Sequence, residues 1–165
     1  MKQGQEAARR AERTQILAVD YGRVRIGLAI ADAATQMAKP LATLQRINRN
    51  EDMRRLRELV QEHGVKQIVV GLPLRLDGTR GEMAEEAERF AQRAAKQIGV
   101  PVEMVDERLT SWEAERLMDE TFGRVSHKAD GAKGGKTAGG ASVDAVAAAV
   151  ILQEYLTRHS DAGRS

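Results

Sequence analysis

Cysteine is absent from this sequence of 165 residues, so disulfide bonds and thiolate metal sites are excluded. A chain without cysteine suits the reducing cytoplasm, where we expect this protein to reside. No apolar run approaches the ~20 residues of a membrane span, so no membrane partner is expected. Aromatic residues make up only 3% of the chain, which leaves few side chains for stacking on nucleic-acid bases. With 42% apolar residues, the chain is nevertheless predicted to fold around one core.

Basic charge is concentrated in two segments that lack helical or strand periodicity. Residues 1–14 hold four Lys or Arg against two Glu, and residues 122–140 hold four against one Asp, although the net charge is only +2. This distribution fits contacts with phosphate and fits plain solubility equally well. We predict a flexible basic tail over 1–14, a single domain over 15–158 with a mobile Gly- and Lys-rich loop over 122–141, and a flexible tail over 159–165.

Hydrophobic periodicity predicts three strands followed by alternating helices and strands. The predicted strands cover 16–19, 25–31, 40–47, 66–72 and 100–106. Four helices are predicted to begin at capping residues, namely Asn50, Thr79, Thr110 and Ser142, and the last is predicted to end near Thr157. Strands joined by short links and followed by strand–helix units predict an α/β fold with a mixed five-stranded sheet flanked by helices.

Acidic residues stand at the ends of three of these elements. Asp20 ends the first strand, the pair Asp106 and Glu107 ends the fifth, and Asp144 lies on the apolar face of the last helix, in its first turn. Each position alone also fits a turn former, a strand-end ion pair or a partner of the helix dipole. Together they converge on one edge of a parallel sheet, where like charges need a cation. Oxygen ligands alone favour one or two Mg²⁺ or Mn²⁺ ions and chemistry on phosphate.

The segment VVGLPLRLDGT carries a second unusual pattern. Gly71 directly follows a strand and allows close approach to the backbone. The helix start predicted at Thr79 leaves free N–H groups that can hold a phosphate. A well-made connection between a strand and a helix explains the same residues.

Four motifs in this order resemble the YqgF family, also called RuvX, within the RNase H-like superfamily. They read LAVDYGRVRIGLAIAD, IVVGLPLRLDGT, VDERLTSWEAERLM and VDAVAAAVILQEYL, and together they extend over about 15–157. The resemblance implies an RNase H-like fold and a metal-dependent nuclease. It further implies processing of the 5′ end of pre-16S ribosomal RNA, with resolution of Holliday junctions in DNA as the alternative.

The resemblance also implies roles for individual acids. The catalytic, metal-binding carboxylates of the family fall on Asp20, Glu107 and Asp144. Because neighbouring residues of a strand point to opposite faces, Asp106 is the alternative to Glu107. Arginines beside these acids would neutralise phosphate or orient the carboxylates.

Candidate phosphate contacts surround the acids. The glycines and arginine of the family's first motif fall on Gly22, Arg25 and Gly27. The full candidate set for phosphate or nucleic-acid binding is Gly22, Arg23, Arg25, Gly71, Arg108, Lys128, Lys133 and Lys136. For Arg25 and Arg108 a structural ion pair is an equal alternative. The chain departs from the family at Arg23, where small or polar residues are common, and in its nearest upstream lysine, which lies eight residues before Asp144 rather than adjacent.

The expected partner is nucleic acid, either structured RNA or four-way DNA, with pre-ribosomal particles as the setting. The protein is expected to be a monomer or a weak homodimer, since a junction resolvase needs a symmetric dimer to cut two strands. A catalytically silent ribosome-assembly factor is a further alternative, as is an actin-like ATPase, which the chain length disfavours. Trp112 is expected in the core or in a groove wall rather than as a base-stacking residue.

Overall fold

The computed structural model describes residues 14–123 and 141–162 of the chain. Within these residues the strands are β1 (Gln15–Tyr21), β2 (Arg25–Asp32), β3 (Met37–Gln45), β4 (Val65–Leu72) and β5 (Val102–Asp106). The α-helices are α1 (Arg49–His63), α2 (Glu82–Ile98), α3 (Trp112–Phe122) and α4 (Val143–Ala162). A 3₁₀ turn, Glu107–Leu109, connects β5 to α3.

The five strands form one sheet in the order β3-β2-β1-β4-β5. β2 is antiparallel to both β1 and β3, whereas β1, β4 and β5 run parallel to one another. The predicted mixed sheet is therefore confirmed. Because the parallel strands share a direction, their carboxyl ends lie at one edge, which is the edge predicted to carry the acids.

Side chains alternate between the two faces of this sheet. Leu17 and Val19 of β1 belong to a buried cluster with Phe90, on the face covered by α1 and α2. Ala18 of β1 and Ala29 of β2 belong to the opposite cluster, which α4 covers. Burial on both faces explains why the central strands read as nearly continuous apolar runs.

Small side chains let α4 lie close to the sheet. Ala145, Ala148 and Ala149 are all buried in the cluster beneath this helix. Its predicted start is confirmed, because the Ser142 hydroxyl accepts a hydrogen bond from the Ala145 N–H at 3.3 Å. Among the described residues, no helix combines the length and the hydropathy that crossing a membrane requires.

Pro40 lies inside β3, which starts at Met37 instead of at the proline. The sheet tolerates this proline because β3 is an edge strand. The register with β2 also shifts between Leu28 and Ala29, next to the residue paired with Pro40.

The predicted starts of α1 and α3 were wrong by one or two residues. Asn48, not Asn50, caps α1, and its side chain accepts from the Glu51 N–H at 2.9 Å. Ser111, not Thr110, caps α3, because the Thr110 hydroxyl instead donates to the Glu107 carbonyl within the 3₁₀ turn. Local pattern does not decide between neighbouring residues that can both cap.

The predicted cap of α2 was also wrong. Thr79 donates its hydroxyl and its N–H to the Asp77 carboxylate, at 2.6 and 2.9 Å. The helix begins after Gly81, which offers no side-chain cap. An Asx turn therefore uses the residues that sequence pattern assigned to the capping box.

Helix ends also differ from the predicted boundaries. Phe122, the first residue of the predicted loop over 122–141, is the last residue of α3, and α4 continues past Thr157 to Ala162. Most of that loop, residues 124–140, lies outside the described residues, as do residues 1–13 and 163–165.

Candidate active site

Asp20 lies near the carboxyl end of β1, on the face of the sheet that α4 covers. It follows Ala18 by two residues and therefore points to the same face. Directly opposite, on β2, Asp20 pairs with Gly27. Asp144 lies in the first turn of α4, as the sequence predicts.

The structure places Glu107, not Asp106, against Asp20. Val105 belongs to the cluster beneath α4, so Asp106 points to the other face. Glu107, two residues after Val105 and the first residue of the 3₁₀ turn, lies on the α4 side, where its carboxyl group is hydrogen-bonded to that of Asp20. Asp106 instead accepts from the Arg108 N–H at 2.9 Å and from its guanidinium at 2.7 Å, and these contacts hold the pKa of Asp106 below its usual range.

Burial raises the pKa of Asp20 well above its usual range, and the negative charges of Glu107 and Asp144 raise it further. Burial also raises the pKa of Glu107, although its hydrogen bond with Asp20 opposes that rise. Because two adjacent negative charges repel each other, this contact favours one proton shared by the two carboxyl groups over two ionised carboxylates.

Asp144 is held by Arg25 across the end of the sheet. The Arg25 Nε lies 3.0 Å from Oδ2 of Asp144, and both side chains are largely buried. Within the described part of the chain, no three Asp, Glu or His side chains are placed so that together they could hold one metal ion. The three predicted acids thus meet as a hydrogen-bonded pair, Asp20 and Glu107, beside an ion-paired Asp144.

Two glycines make room for these acids. A Cβ at Gly27 would lie 2.0 Å from the backbone oxygen of Asp144, so only glycine lets the start of α4 approach β2. A Cβ at Gly71 would lie 2.5 Å from Oε1 of Glu107 and 2.8 Å from Cδ1 of Ile151. Gly71 was predicted to admit a phosphate, and the structure shows that it admits the Glu107 side chain.

A pocket opens beside the Asp20–Glu107 pair. Its walls consist of residues from β1, the 3₁₀ turn, α3 and α4, namely Asp20, Glu107, Thr110, Glu115, Asp119, Ala147, Val150 and Ile151. The sequence analysis missed Glu115 and Asp119 as residues of this pocket. They lie one helical turn apart on the helix that follows the predicted acids, and this spacing of four is the signal that could have found them.

The predicted phosphate-binding residues have other partners in this structure. Arg23 contacts Glu82 and Glu86 of α2, at 3.2 and 3.1 Å. Arg108 is paired with Asp106, the alternative left open for that arginine. The remaining candidates are Gly22 and three lysines. A Cβ at Gly22 would lie 2.5 Å from the Arg25 carbonyl, so the turn between β1 and β2 requires glycine at this position. Lys128, Lys133 and Lys136 lie outside the described residues.

Trp112 is exposed, with 65% of its surface accessible, so its placement in the core is excluded. The Arg116 guanidinium lies 5.2 Å from the centre of its ring. Trp112 lines a second, shallow pocket on α3 together with Glu115 and Asp119, which also line the first pocket. An exposed ring in a pocket wall fits both remaining alternatives, a groove wall and a base-stacking residue.

The order of these elements and acids matches a known family along almost the entire described chain. The profile of RuvX, described as Holliday junction resolvase, matches residues 14–158. The chain belongs to the RuvX family. Relatives include proteins of Chloroflexus aurantiacus and Anaeromyxobacter sp. (strain K), both named "Putative pre-16S rRNA nuclease". The first is 43% identical over 91% of this chain and 92% of its own length, and the second is 44% identical over 87% and 97%.

Solved structures agree with the RuvX assignment at the level of fold. The structure of Thermus thermophilus RuvC has a TM-score of 0.55 at 13% identity and covers 90% of this chain and 97% of its own. The same protein in complex with a Holliday junction substrate has a TM-score of 0.54 at 14% identity, over 89% and 96%. The predicted RNase H-like fold is confirmed, and membership of the RuvX family makes this chain a nuclease, a hydrolase of phosphodiester bonds.

Proposed function

We propose that this protein cleaves precursor ribosomal RNA at the pocket beside Asp20 and Glu107, and that it processes the 5′ end of pre-16S rRNA in the cytoplasm. The observation that carries the proposal is the hydrogen-bonded Asp20–Glu107 pair, half-buried at the carboxyl edge of the sheet. The names of the curated relatives support the choice of substrate, and the pre-ribosomal particle as its setting is part of the proposal.

The donor set of the pocket fits a divalent cation such as Mg²⁺ or Mn²⁺. All candidate ligands are carboxylate oxygens, and Mg²⁺ is commonly bound by one or two carboxylates together with substrate phosphates. The raised pKa values of Asp20 and Glu107 have burial as their main cause, and a bound cation would replace the shared proton. When bound, the ion supplies positive charge next to the scissile phosphate.

The residues of the chain would contribute charge and position. Asp20 and Glu107 would hold the cation, and Asp144 completes the acidic site next to them. Arg25 neutralises Asp144, which lowers the repulsion that an incoming phosphate meets. Gly71 keeps the space into which the Glu107 side chain extends.

Resolution of four-way DNA is the second candidate function. It is favoured by the description of the matching family as Holliday junction resolvase. This activity would require two copies of the chain, one for each strand to be cut. Sedimentation of the protein with and without four-way DNA would detect such a dimer.

A cleavage assay separates these functions. Purified protein is given a pre-16S rRNA 5′ fragment, an unrelated single-stranded RNA and a four-way DNA, each with Mg²⁺, with Mn²⁺ or with EDTA. We expect cleavage of the precursor RNA with a divalent ion only. Preferential cleavage of the four-way DNA would favour the resolvase, and no cleavage of any substrate would contradict both proposals and favour a silent assembly factor.

Two variants with substitutions at adjacent positions control this assay. Glu107→Gln removes the carboxylate that contacts Asp20, and Asp106→Asn removes the carboxylate that points to the other face of the sheet. Cleavage should be lost in the first variant and retained in the second. The reverse pattern would show that Asp106 is the catalytic acid.

A further inference from the structure

Four arginines gather on the sheet face opposite to α4. Arg46 follows β3, Arg49 is the first residue of α1, and Arg89 and Arg93 lie one turn apart on α2. Three of them, Arg46, Arg49 and Arg89, are among the charged groups that act most strongly on Arg93. We call these four residues the arginine cluster.

Only Arg46 has a partner that accounts for its charge. Its guanidinium contacts the buried Asp52 at 3.1 Å and lies 4.9 Å from the centre of the Tyr21 ring. Among the described residues, no carboxylate lies within salt-bridge distance of the other three arginines. The cluster therefore carries positive charge that the described residues do not compensate.

Arg93 gives the clearest sign of a missing partner. Its Nε atom is buried and has no hydrogen-bond partner among the described residues. Burial and the positive charges of Arg49, Arg46 and Arg89 lower its pKa. A buried donor without an acceptor is destabilising. The other such atom among the described residues, Nε of Arg55, belongs to an arginine that is paired with Asp52, whereas Arg93 has no carboxylate partner there.

The cluster lies at the same end of the sheet as the candidate active site. Asp20 and Tyr21 are consecutive in β1 and point to opposite faces, Asp20 toward the α4 side and Tyr21 toward the cluster. Tyr21 contacts Phe90 of α2 at 5.1 Å between ring centres and receives a hydrogen bond from Arg46 at 2.7 Å. A polyanion that crosses the sheet edge at the β1–β2 turn would meet the acids on one side and the arginines on the other.

Guanidinium groups spread over two helices fit several phosphates of one chain better than a single small anion. Accordingly, we propose that Arg49, Arg89 and Arg93 bind backbone phosphates of the nucleic-acid substrate where it leaves the catalytic edge. This inference rests on the proposed nuclease function. It assigns the positioning of the substrate to three arginines that lie outside the four family motifs.

Binding under non-cleaving conditions tests the proposal. The affinity of the full chain for a fluorescent pre-16S rRNA fragment is measured by anisotropy in EDTA, at several salt concentrations. The test variant Arg49→Gln/Arg89→Gln removes two exposed members of the cluster, and the control Lys66→Gln/Lys96→Gln removes two exposed cations elsewhere on the surface. We expect roughly tenfold weaker binding in the test variant only, and a salt slope smaller by about 1.4 to 1.8, which corresponds to two lost phosphate contacts.

The melting temperature distinguishes a ligand-binding role of the cluster from a structural role, because loss of structural arginines would lower it. Because the two substitutions remove like charges near Arg93, the melting temperature of the test variant should be equal to or above that of the parent. Weaker binding with unchanged or higher stability supports a ligand role. A fall in melting temperature that parallels the loss of affinity would overturn it.

Two other outcomes would also overturn the inference about the arginine cluster, and neither of them contradicts the proposed nuclease function. If the parent cleaves RNA while test and control variants bind with equal affinity and equal salt slope, the cluster does not contact substrate. If ATP, used as a small phosphate probe, protects the parent from unfolding as strongly as RNA and fails to protect the test variant, the cluster is a nucleotide site. If the parent neither binds nor cleaves nucleic acid, the proposed function itself fails.

Discussion

The carboxyl groups of Asp20 and Glu107 are hydrogen-bonded to each other in a half-buried position at the end of β1. Such a pair is unfavourable when both groups are ionised, because two negative charges then meet with little solvent between them. This unfavourable pair lies at the edge of the sheet where α/β folds bind their ligands. Stability and cleavage should therefore respond to changes at Asp20 and Glu107 and at Gly71, which packs against Glu107.

Asp20→Asn is expected to stabilise the fold while it abolishes cleavage. The substitution replaces a carboxyl group that must take up a proton beside Glu107 with an amide that is neutral at every pH and can donate to Glu107, so the free energy of unfolding should rise by about 1 kcal/mol at neutral pH. Cleavage of the precursor RNA should fall at least about 100-fold. Chemical denaturation and a cleavage time course measure the two effects. Retained cleavage would exclude Asp20 from catalysis, and a loss of stability would contradict the conflict of charges.

The stability of the metal-free protein should fall as the pH rises above about 4, the usual pKa range of carboxyl groups. The pKa values of Asp20 and Glu107 are raised in the folded state, so the folded protein binds more protons than the unfolded chain above that range. Melting temperatures in EDTA across the pH range test this expectation. Asp20→Asn should flatten the curve, and added Mn²⁺ should raise the melting temperature most at high pH. A parent curve that matches the variant would contradict the raised pKa values.

Asp52→Asn should destabilise the protein by about 3 kcal/mol. Asp52 is only 2% exposed and accepts hydrogen bonds from Arg46, Arg55 and the Ile47 N–H. Burial alone would raise its pKa, but these hydrogen bonds outweigh burial and lower it, so its contribution is present above the unfolded pKa and is lost as the pH falls through the folded value.

An exposed ion pair provides the control for Asp52. Glu58 pairs with Arg54 on the surface of α1, where 60% of its side chain is accessible. Glu58→Gln should change the free energy of unfolding by less than about 0.5 kcal/mol. Equal effects of the two substitutions in urea denaturation would refute a special role for the buried carboxylate.

Gly71→Ala should impair cleavage through Glu107. The added Cβ would collide with the Glu107 carboxylate and with Ile151, so we expect cleavage to fall at least about tenfold and stability to fall by about 1 to 3 kcal/mol. At Gly81, by contrast, a Cβ would meet only the flexible side chain of Arg75, at 3.1 Å, and Gly81→Ala should leave cleavage intact. Full cleavage by Gly71→Ala would show that the position of Glu107 does not matter for the reaction.

Local patterns in the sequence determined the elements and much of the site. Strands with two buried faces appear as apolar runs, and βα units in series require a partly parallel sheet, so Asp20, Glu107 and Asp144 could be predicted to share an edge. Helix starts were less predictable. Asn48, Gly81 and Ser111 begin helices where other polar residues stood nearby, because competing hydrogen bonds in the folded chain decide which residue is the cap.

Only the tertiary structure decided how the charged side chains are paired. The choice of Glu107 over Asp106 depends on which face of the sheet Val105 takes, because Glu107 follows Val105 by two residues and Asp106 points to the other face. Arg25 and Asp144 are 119 positions apart, and the arginine cluster combines residues of two helices. Sequence spacing carries no information about such contacts, because they form only when packing fixes the distance between elements. The sequence by itself therefore located the acids, while the fold determined which of them are hydrogen-bonded to each other, which is neutralised, and which arginines have no carboxylate partner among the described residues.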